Sequence, residues 1–371
     1  AAFIHDDLQI QILIDWDGYA RQGERAQGLF QLKPAPVQIL HQEFIGTSGN
    51  TQMDYVITDI DVTPPHLQTH FVEKLIYMPH HFFAKGHAMY PQDMSPPTLT
   101  YQQPPHTNNQ YVLGTGTPQH NACINRKLDK DVDFVFCNFH KFLKLNPPTM
   151  DAWISILEQV PNSILCLLEN PKEALPNLQR YLRSKNIPKH RVTFVPWQQN
   201  PFDFQKYNHD LCHVVLDTHP YNGHTTAQDA MYGGVPLLTR SDGLDMASRV
   251  TTSANILLGL QQPLNAPSLS SYIQKAVHLA TNTTLYQQVR TQLIQTALQP
   301  THMHPYWDMP RYVRNLEQGW FLAWDAYVNK EKKTHIYIQD DGHATTPQEI
   351  QTLDDNKEQY IQQRLSSSSS T

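Results

Sequence analysis

The chain reads as an α/β protein with doubly wound parallel sheets, and two observations carry that reading. Apolar runs of strand length recur through residues 10–83 and again from Asp133 to about residue 240, the pattern of strands buried on both faces. In the second region the runs alternate with helix-length stretches, which is the order of a parallel sheet with crossover helices. A chain of 371 residues is long enough for two such domains.

The elements follow in order. Ala1 and Ala2 lead almost at once into Ile10–Ile14, a buried strand. A natural chain rarely opens inside a sheet, so we expect a fragment, a processed chain or an incomplete sequence, with the first lobe truncated. Val37–Leu40, Met53–Thr58 and Lys74–Met78 are further strands. Glu24–Leu32 reads as a helix ended by Pro34 and Pro36. Residues 1–89 are thus the later part of an N-terminal lobe. Residues 90–130 are rich in Pro, Gln, Thr and His, and read as a linker or reduced insertion. Residues 131–330 form the second lobe. Its strands are Phe134–Phe139, Ile164–Leu168, Val192–Val195, Val214–Asp217 and Val235–Leu238. Its helices are Thr149–Val160, Ala174–Ser184, a looser stretch near Asp203–Asp210, Thr225–Met231, Ala247–Leu258 and Ser268–Leu298. Tyr312, Leu316, Trp320 and Trp324 recur at helical spacing within Pro310–Tyr327, a stripe that reads as core or inter-lobe packing. Residues 331–371 are charged and Gln-rich, end in serines, and are expected to be disordered.

Composition excludes several classes. The formal net charge is −6, and no basic block is interleaved with aromatics, so nucleic acid is not an expected partner. The longest apolar runs are strand-length, so no membrane span is expected. The N-terminus has no signal-peptide pattern. The four cysteines (Cys123, Cys137, Cys166 and Cys212) include no C-x-x-C pair. Neither a zinc ribbon nor a disulfide framework is indicated, which favours a reducing compartment.

Ligands of a doubly wound sheet bind at the carboxyl ends of its strands. That rule puts Asn138–Lys144, Pro196–Gln199 and Asn222–Thr226 along one rim. His224, Thr225 and Thr226 stand just past a strand, at a helix start, where unpaired backbone N–H groups and the helix dipole favour an anion. Asp229 is placed to meet a ribose or to cap that helix. Lys144 is within loop reach of a diphosphate, with Lys141 as a weaker second cation. Trp197 and Gln198 could stack on a base and read its edge. The plain alternatives stay open at this level: a capped crossover helix, solvated loop lysines, a packing tryptophan.

The same residues carry a family resemblance. Asn222-Gly-His-Thr-Thr-x-x-Asp229, Gly234-Val-Pro and Ala247-Ser-Arg-Val250 resemble the nucleotide-sugar site of the O-linked N-acetylglucosamine transferases. Cys137-Asn-Phe-x-x-x-x-Lys144, Trp153 with Ile156 and Leu157, and Val160-Pro-Asn-Ser163 fit as well. So do Asp17-Gly-Tyr19, Lys33-Pro-Ala-Pro-Val-Gln38, Gly46-Thr-Ser-Gly49, Met53-Asp-Tyr-Val-Ile-Thr-Asp59 and Glu73-Lys-Leu-x-Tyr-Met-Pro79. The resemblance runs over roughly residues 8–330. It implies a GT-B fold of two Rossmann-like lobes and an inverting transferase that needs no metal and no cofactor. The donor would be UDP-N-acetylglucosamine and the acceptors Ser and Thr hydroxyls of cytoplasmic or nuclear proteins. Lys144 would neutralise the leaving diphosphate. His224, Thr225 and Thr226 would hold its phosphates, with Tyr221, Asn222, Gly223 and Lys141 around them. Asp229 would bind the ribose, Gln198 would meet uracil through its backbone, and Asp17 and Gly46 would approach the donor sugar.

There are departures. The family usually has Gln at the position of Lys141 and Thr at that of Ala20. Its basic and histidine contacts are not recognisable around Asn200–Tyr207. The tetratricopeptide array and the lobe start bearing a discussed histidine base are not in this sequence, so missing N-terminal repeats or a further subunit are expected partners. A chain complete as given is expected to be weakly active or inactive. Asp59-Ile-Asp61 has metal-motif spacing but falls elsewhere in the family pattern. The competing readings are a GDP-fucose-dependent protein O-fucosyltransferase, a glucosyltransferase of Asn side chains, and an inactive nucleotide-binding or scaffold fragment.

Overall fold

A computed structural model describes residues 1–20, 23–86, 134–197, 212–298 and 304–340. The chain divides into two compact units. Each is built on a wholly parallel sheet, as the apolar runs required.

The first unit takes Ala1–Ala84, Leu244–Gly259 and the stretch beginning at Pro305. Its strands are β1 (Ile12–Asp15), β2 (Val37–Leu40), β3 (Tyr55–Asp59), β4 (Lys74–Met78) and β11 (Ile336–Tyr337), in that spatial order. Helix α1 (Glu24–Gln31) joins β1 to β2. Helices α5 (Val250–Leu257) and α9 (Met309–Val328) also belong here. The stripe on α9 is core: Tyr312 and Leu316 are buried with Ile39, Ile76 and Tyr337, and Trp320 and Trp324 pack against the cluster.

The second unit holds β5 (Phe134–Asn138), β6 (Ser163–Glu169), β7 (Val192–Pro196), β8 (Val214–Leu216), β9 (Leu237–Arg240) and β10 (Asn265–Ala266). Its helices are α2 (Pro147–Gln159), α3 (Leu175–Ser184), α4 (Thr225–Tyr232), α6 (Gln261–Leu264), α7 (Leu269–Thr281) and α8 (Thr283–Leu298). The spatial order β10-β9-β8-β5-β6-β7 runs one way from β5 to β7 and the other way from β8 to β10. The topological switch point therefore lies between β5 and β8, and sheets of this kind bind ligands at the strand ends beside that point. Local chemistry explains the helix limits. The side chain of Asn146 caps α2 by accepting from the Thr149 amide, with Pro147 and Pro148 in the first turn. Helix α4 ends at Tyr232; Gly234, two residues on, has a φ of +72° that suits glycine, and the Val235 amide closes the turn on Ala230 O at 3.0 Å.

Three expectations are corrected. The segment 131–330 is not one lobe, because residues 244–259 and those from Pro305 fold with the first unit. The stretch from residue 331 is not wholly a disordered tail, because β11 joins β4 in parallel register, with Ile336 opposite Ile76. Ser268–Leu298 is two helices, since α7 ends at Thr281 and α8 starts at Thr283. Cys137 and Cys212 are buried thiols outside any disulfide, whereas Cys166 is disulfide-bonded, which the cysteine pattern did not anticipate. The linker at 90–130, the helix near Asp203–Asp210, and residues 341–371 of the tail lie outside the described residues.

Candidate nucleotide-sugar site

The strand ends at the switch point are tied by buried polar groups. Asn138, the last residue of β5, donates from its amide to Leu216 O at 2.8 Å, and its carbonyl accepts from the His140 amide at 3.1 Å. Asp217, just past β8, accepts from the Thr218 and Gly223 amides at 2.9 and 2.7 Å. Its carboxylate thus folds the turn from Thr218 to His224 back on itself. Thr218 closes the same turn, its hydroxyl donating to Tyr221 O at 2.6 Å. Asn146 and Thr149, at the start of α2, both donate to His219 O, at 2.6 and 3.1 Å. The turn is therefore held rigidly from both neighbouring elements.

His140 lies under this turn. Its Nδ1 is 3.1 Å from Thr218 Oγ1, and a Cβ on Gly223 would come within 2.7 Å of its Nε2. Only glycine allows that approach. Burial, reinforced by the charges of Lys144 and His224, pushes the His140 pKa well down, so the imidazole is neutral.

Lys144 ends a short 3-10 turn, Phe142–Lys144, that follows β5. Its ammonium donates to Asn222 O at 2.8 Å and lies 4.4 Å from the centroid of the Tyr221 ring. Desolvation lowers its pKa to about 8; Asp217 opposes that shift and Lys141 adds to it. Helix α4 begins beside it. The N-cap is His224, whose side chain makes no capping hydrogen bond, and Thr225 follows, exposed. The lysine ammonium thus lies against the turn that leads into this helix start, and Thr225 and Thr226 open the helix, residue types suited to an anion with several oxygens. Asp229 is half-buried on α4, one turn further along.

The structure thus brings together Lys144, Tyr221, Asn222, Gly223, His224, Thr225, Thr226 and Asp229 in the second unit. Lys141 is exposed and acts on Lys144 through charge. Gln198 lies outside the described residues, and Trp197 beside it is exposed.

Asp17 and Gly46 sit in the first unit, on loops that one contact joins. Asp15 accepts from the Gly18 amide at 2.9 Å and from Gln27 Nε2 at 2.8 Å, shaping the first loop. Tyr19 then donates to Ser48 O at 2.9 Å, on the second. Glu73 fixes that second loop by accepting from Thr47 Oγ1 and the Ser48 amide, each at 2.7 Å. Asp59 is committed to structure. It accepts from the Asp61, Val62 and Phe82 amides and from Ser253 Oγ, at 2.9–3.0 Å. Its spacing with Asp61 therefore reflects a capped turn. Among the described residues no group of three or more His, Cys, Asp or Glu side chains is arranged to hold a metal ion.

Sequence reasoning put Asn138 and His140 on the rim without giving either a role, and it did not single out Asp217 or Glu73 as supports of the site. One signal was available: Asn138 and Asp217 are polar residues at the carboxyl ends of apolar strands, where parallel sheets place ligand-facing groups.

The model of glycosyl transferase family 41 matches residues 1–113 and 105–316. The chain belongs to this family. A probable UDP-N-acetylglucosamine–peptide N-acetylglucosaminyltransferase, SEC, of Arabidopsis thaliana is 31% identical over 91% of the chain and 31% of its own length. The UDP-N-acetylglucosamine–peptide N-acetylglucosaminyltransferase of Caenorhabditis elegans is 28% identical over 88% of the chain and 35% of its own length. The chain thus spans about a third of these relatives. Among solved structures, a mutant of the Thermobaculum terrenum O-GlcNAc transferase superposes with a TM-score of 0.68 at 24% identity, covering 88% of this chain and 55% of that one. That likeness establishes the two-lobed GT-B type of fold. No helix among the described residues is long and apolar enough to cross a membrane.

Proposed function

We propose that this family 41 chain is the catalytic region of a protein O-N-acetylglucosaminyltransferase. It would transfer N-acetylglucosamine from UDP-N-acetylglucosamine to Ser or Thr hydroxyls with inversion. The carrying observation is the Lys144 ammonium, 2.8 Å from Asn222 O and beside the start of α4, at the switch point of a parallel sheet. The donor class comes from the names of the relatives at 31% and 28% identity.

The reaction would run as follows. The acceptor hydroxyl attacks the anomeric carbon from the face opposite the diphosphate, the bond to UDP breaks, negative charge develops on the leaving phosphate, and the hydroxyl proton is lost to water or to that phosphate. Lys144, the α4 N–H groups and the hydroxyls of Thr225 and Thr226 would meet that charge in a preorganised setting. This set of groups makes a metal unnecessary for leaving-group departure. Asp229 would hold the ribose and Gln198 the uracil. By the resemblance, Asp17 and Gly46 would approach the donor sugar. The acceptors would be cytoplasmic or nuclear proteins, a location that follows from the resemblance.

The test is titration of the protein with UDP and with GDP, together with transfer to a Ser/Thr peptide in the presence of EDTA. UDP binding and EDTA-resistant transfer are expected. GDP binding without UDP binding would replace this reading with the fucosyltransferase one. UDP binding without transfer, even when the remaining family segments are supplied, would leave a nucleotide-binding scaffold.

A further inference from the structure

The ammonium of Lys144 has an unusual setting for a group that must meet a diphosphate. It is half-buried, and among the described residues its one hydrogen bond is to a carbonyl, Asn222 O. No carboxylate pairs with it directly among the described residues. The group covering it is the ring of Tyr221, at 4.4 Å from its centroid. The face of that ring carries the negative part of the aromatic quadrupole and attracts a cation within about 6 Å, more strongly where water is thin. The ring also lies beside that of His224, at 4.8 Å between centroids. Tyr221 itself is pinned through its backbone, since its carbonyl accepts from Thr218 Oγ1.

We propose that Tyr221 is a positioning residue for Lys144: its ring face holds the lysine as an ammonium at the start of α4. The inference rests on the reading of Lys144 as the cation that meets the leaving diphosphate.

The physical case is a balance of opposing terms. Burial favours the neutral amine and brings the Lys144 pKa down to about 8. Asp217, beyond β8, favours the charged form, and Lys141, beside it on the β5 side, opposes it. His140 lies under the turn as a neutral imidazole, so it adds no competing charge. A lysine poised near neutrality is sensitive to a modest extra attraction, because one pKa unit corresponds to about 1.4 kcal/mol. A cation–π contact supplies an effect of that order without placing a carboxylate where the diphosphate must sit. A carboxylate in the same place would repel the substrate; a ring does not.

The experiment must weaken the ring quadrupole without opening the site to water, because added hydration would itself raise the lysine pKa. Tyr221→Phe and a series of mono-, di- and trifluorophenylalanine at position 221 achieve this at nearly constant volume. Lys144 is titrated in the protein without nucleotide, from the pH dependence of its acetylation by acetic anhydride, read by mass spectrometry. Tyr221→Phe is expected to leave the midpoint in place, and fluorination to lower it stepwise by about one pH unit in total. A midpoint that stays fixed or rises along the series would overturn the proposal, since a purely structural ring is indifferent to fluorination. Because no nucleotide is present, failure of UDP binding would overturn the proposed function and leave this result standing. The converse also holds.

Discussion

The hydroxyl of Tyr272, on α7, donates to the backbone oxygen of Asp217 at 3.0 Å. Asp217 is the residue whose carboxylate folds the anion-site turn, so this contact anchors the turn from below. The same hydroxyl accepts from the indole of Trp153 at 3.0 Å. All three groups are buried.

Tyr272→Phe should therefore cost more than one ordinary hydrogen bond. It leaves the Trp153 N–H and the Asp217 carbonyl without the hydroxyl, and buried unsatisfied groups cost about 1–3 kcal/mol. The expected outcome is a loss of about 2 kcal/mol in urea unfolding, with UDP affinity weakened as the turn loosens. Unchanged stability would show that water or a rearrangement replaces the hydroxyl.

Lys144 gives the pH dependence of the site. With its pKa lowered to about 8, it is charged below that value and neutral above it. The rate of transfer by the free enzyme, expressed as kcat/KM, should fall as pH rises through about 8, well below the range where an unburied lysine titrates. Lys144→Met removes the charge at every pH. It should lower kcat by about a hundredfold or more and abolish that alkaline limb. A Lys144→Met enzyme that retains the limb would assign it to another group.

Much of this was legible in the sequence because parallel strands buried on both faces read as unbroken apolar runs. Val37–Leu40 and Lys74–Met78 are strands over the residues expected. The strand expected from Val235 starts instead at Leu237, just past Pro236, which has no N–H to give the ladder. The return of the chain to the first unit was not legible. Strand β11 has two residues in a polar stretch, and its partner β4 precedes it by some 260 positions, so no local periodicity marks it. The site divided the same way. His224–Thr226 could be read from a strand end and helix start that are adjacent in sequence. The Asn138–Leu216 and His140–Thr218 links each join residues 78 apart, and such pairs leave no pattern in a single chain.

The Gly46–Gly49 loop depends on Glu73. The Ser48 amide and the Thr47 and Ser48 hydroxyls all donate to one buried carboxylate. Glu73→Ala should release the loop while β4 stays in place. Amide hydrogen exchange across residues 46–50 should accelerate by about tenfold or more, with little change in the strand. Glu73→Gln keeps one acceptor oxygen and should lie between the two. Equal protection in all three proteins would mean that Tyr19, which donates to Ser48 O, holds the loop by itself.

His213 makes the second unit acid-sensitive. Its Nδ1 accepts from the Val135 amide at 3.0 Å, which requires the ring nitrogen to be unprotonated. The ring is stacked on Phe134, with centroids 4.7 Å apart. Burial, with a further contribution from the charge of Arg290, lowers its pKa from 6.5 to about 3. The sign follows from proton counting. Below pH 6.5 the unfolded chain takes up a proton at this position that the folded chain refuses until about pH 3. Stability is therefore complete above pH 6.5 and falls with acidification across that window, by about 1.4 kcal/mol per pH unit. Between pH 6.5 and 5 the loss from this group alone is about 2 kcal/mol. His41 adds a similar slope in the first unit, where burial lowers its pKa to about 4. His213→Gln should be less stable than the parent at pH 7.5 and should lose less on acidification, so the two urea midpoints converge toward pH 5. Parallel curves would show that the ring is protonated in the folded protein and that another residue accepts the Val135 amide.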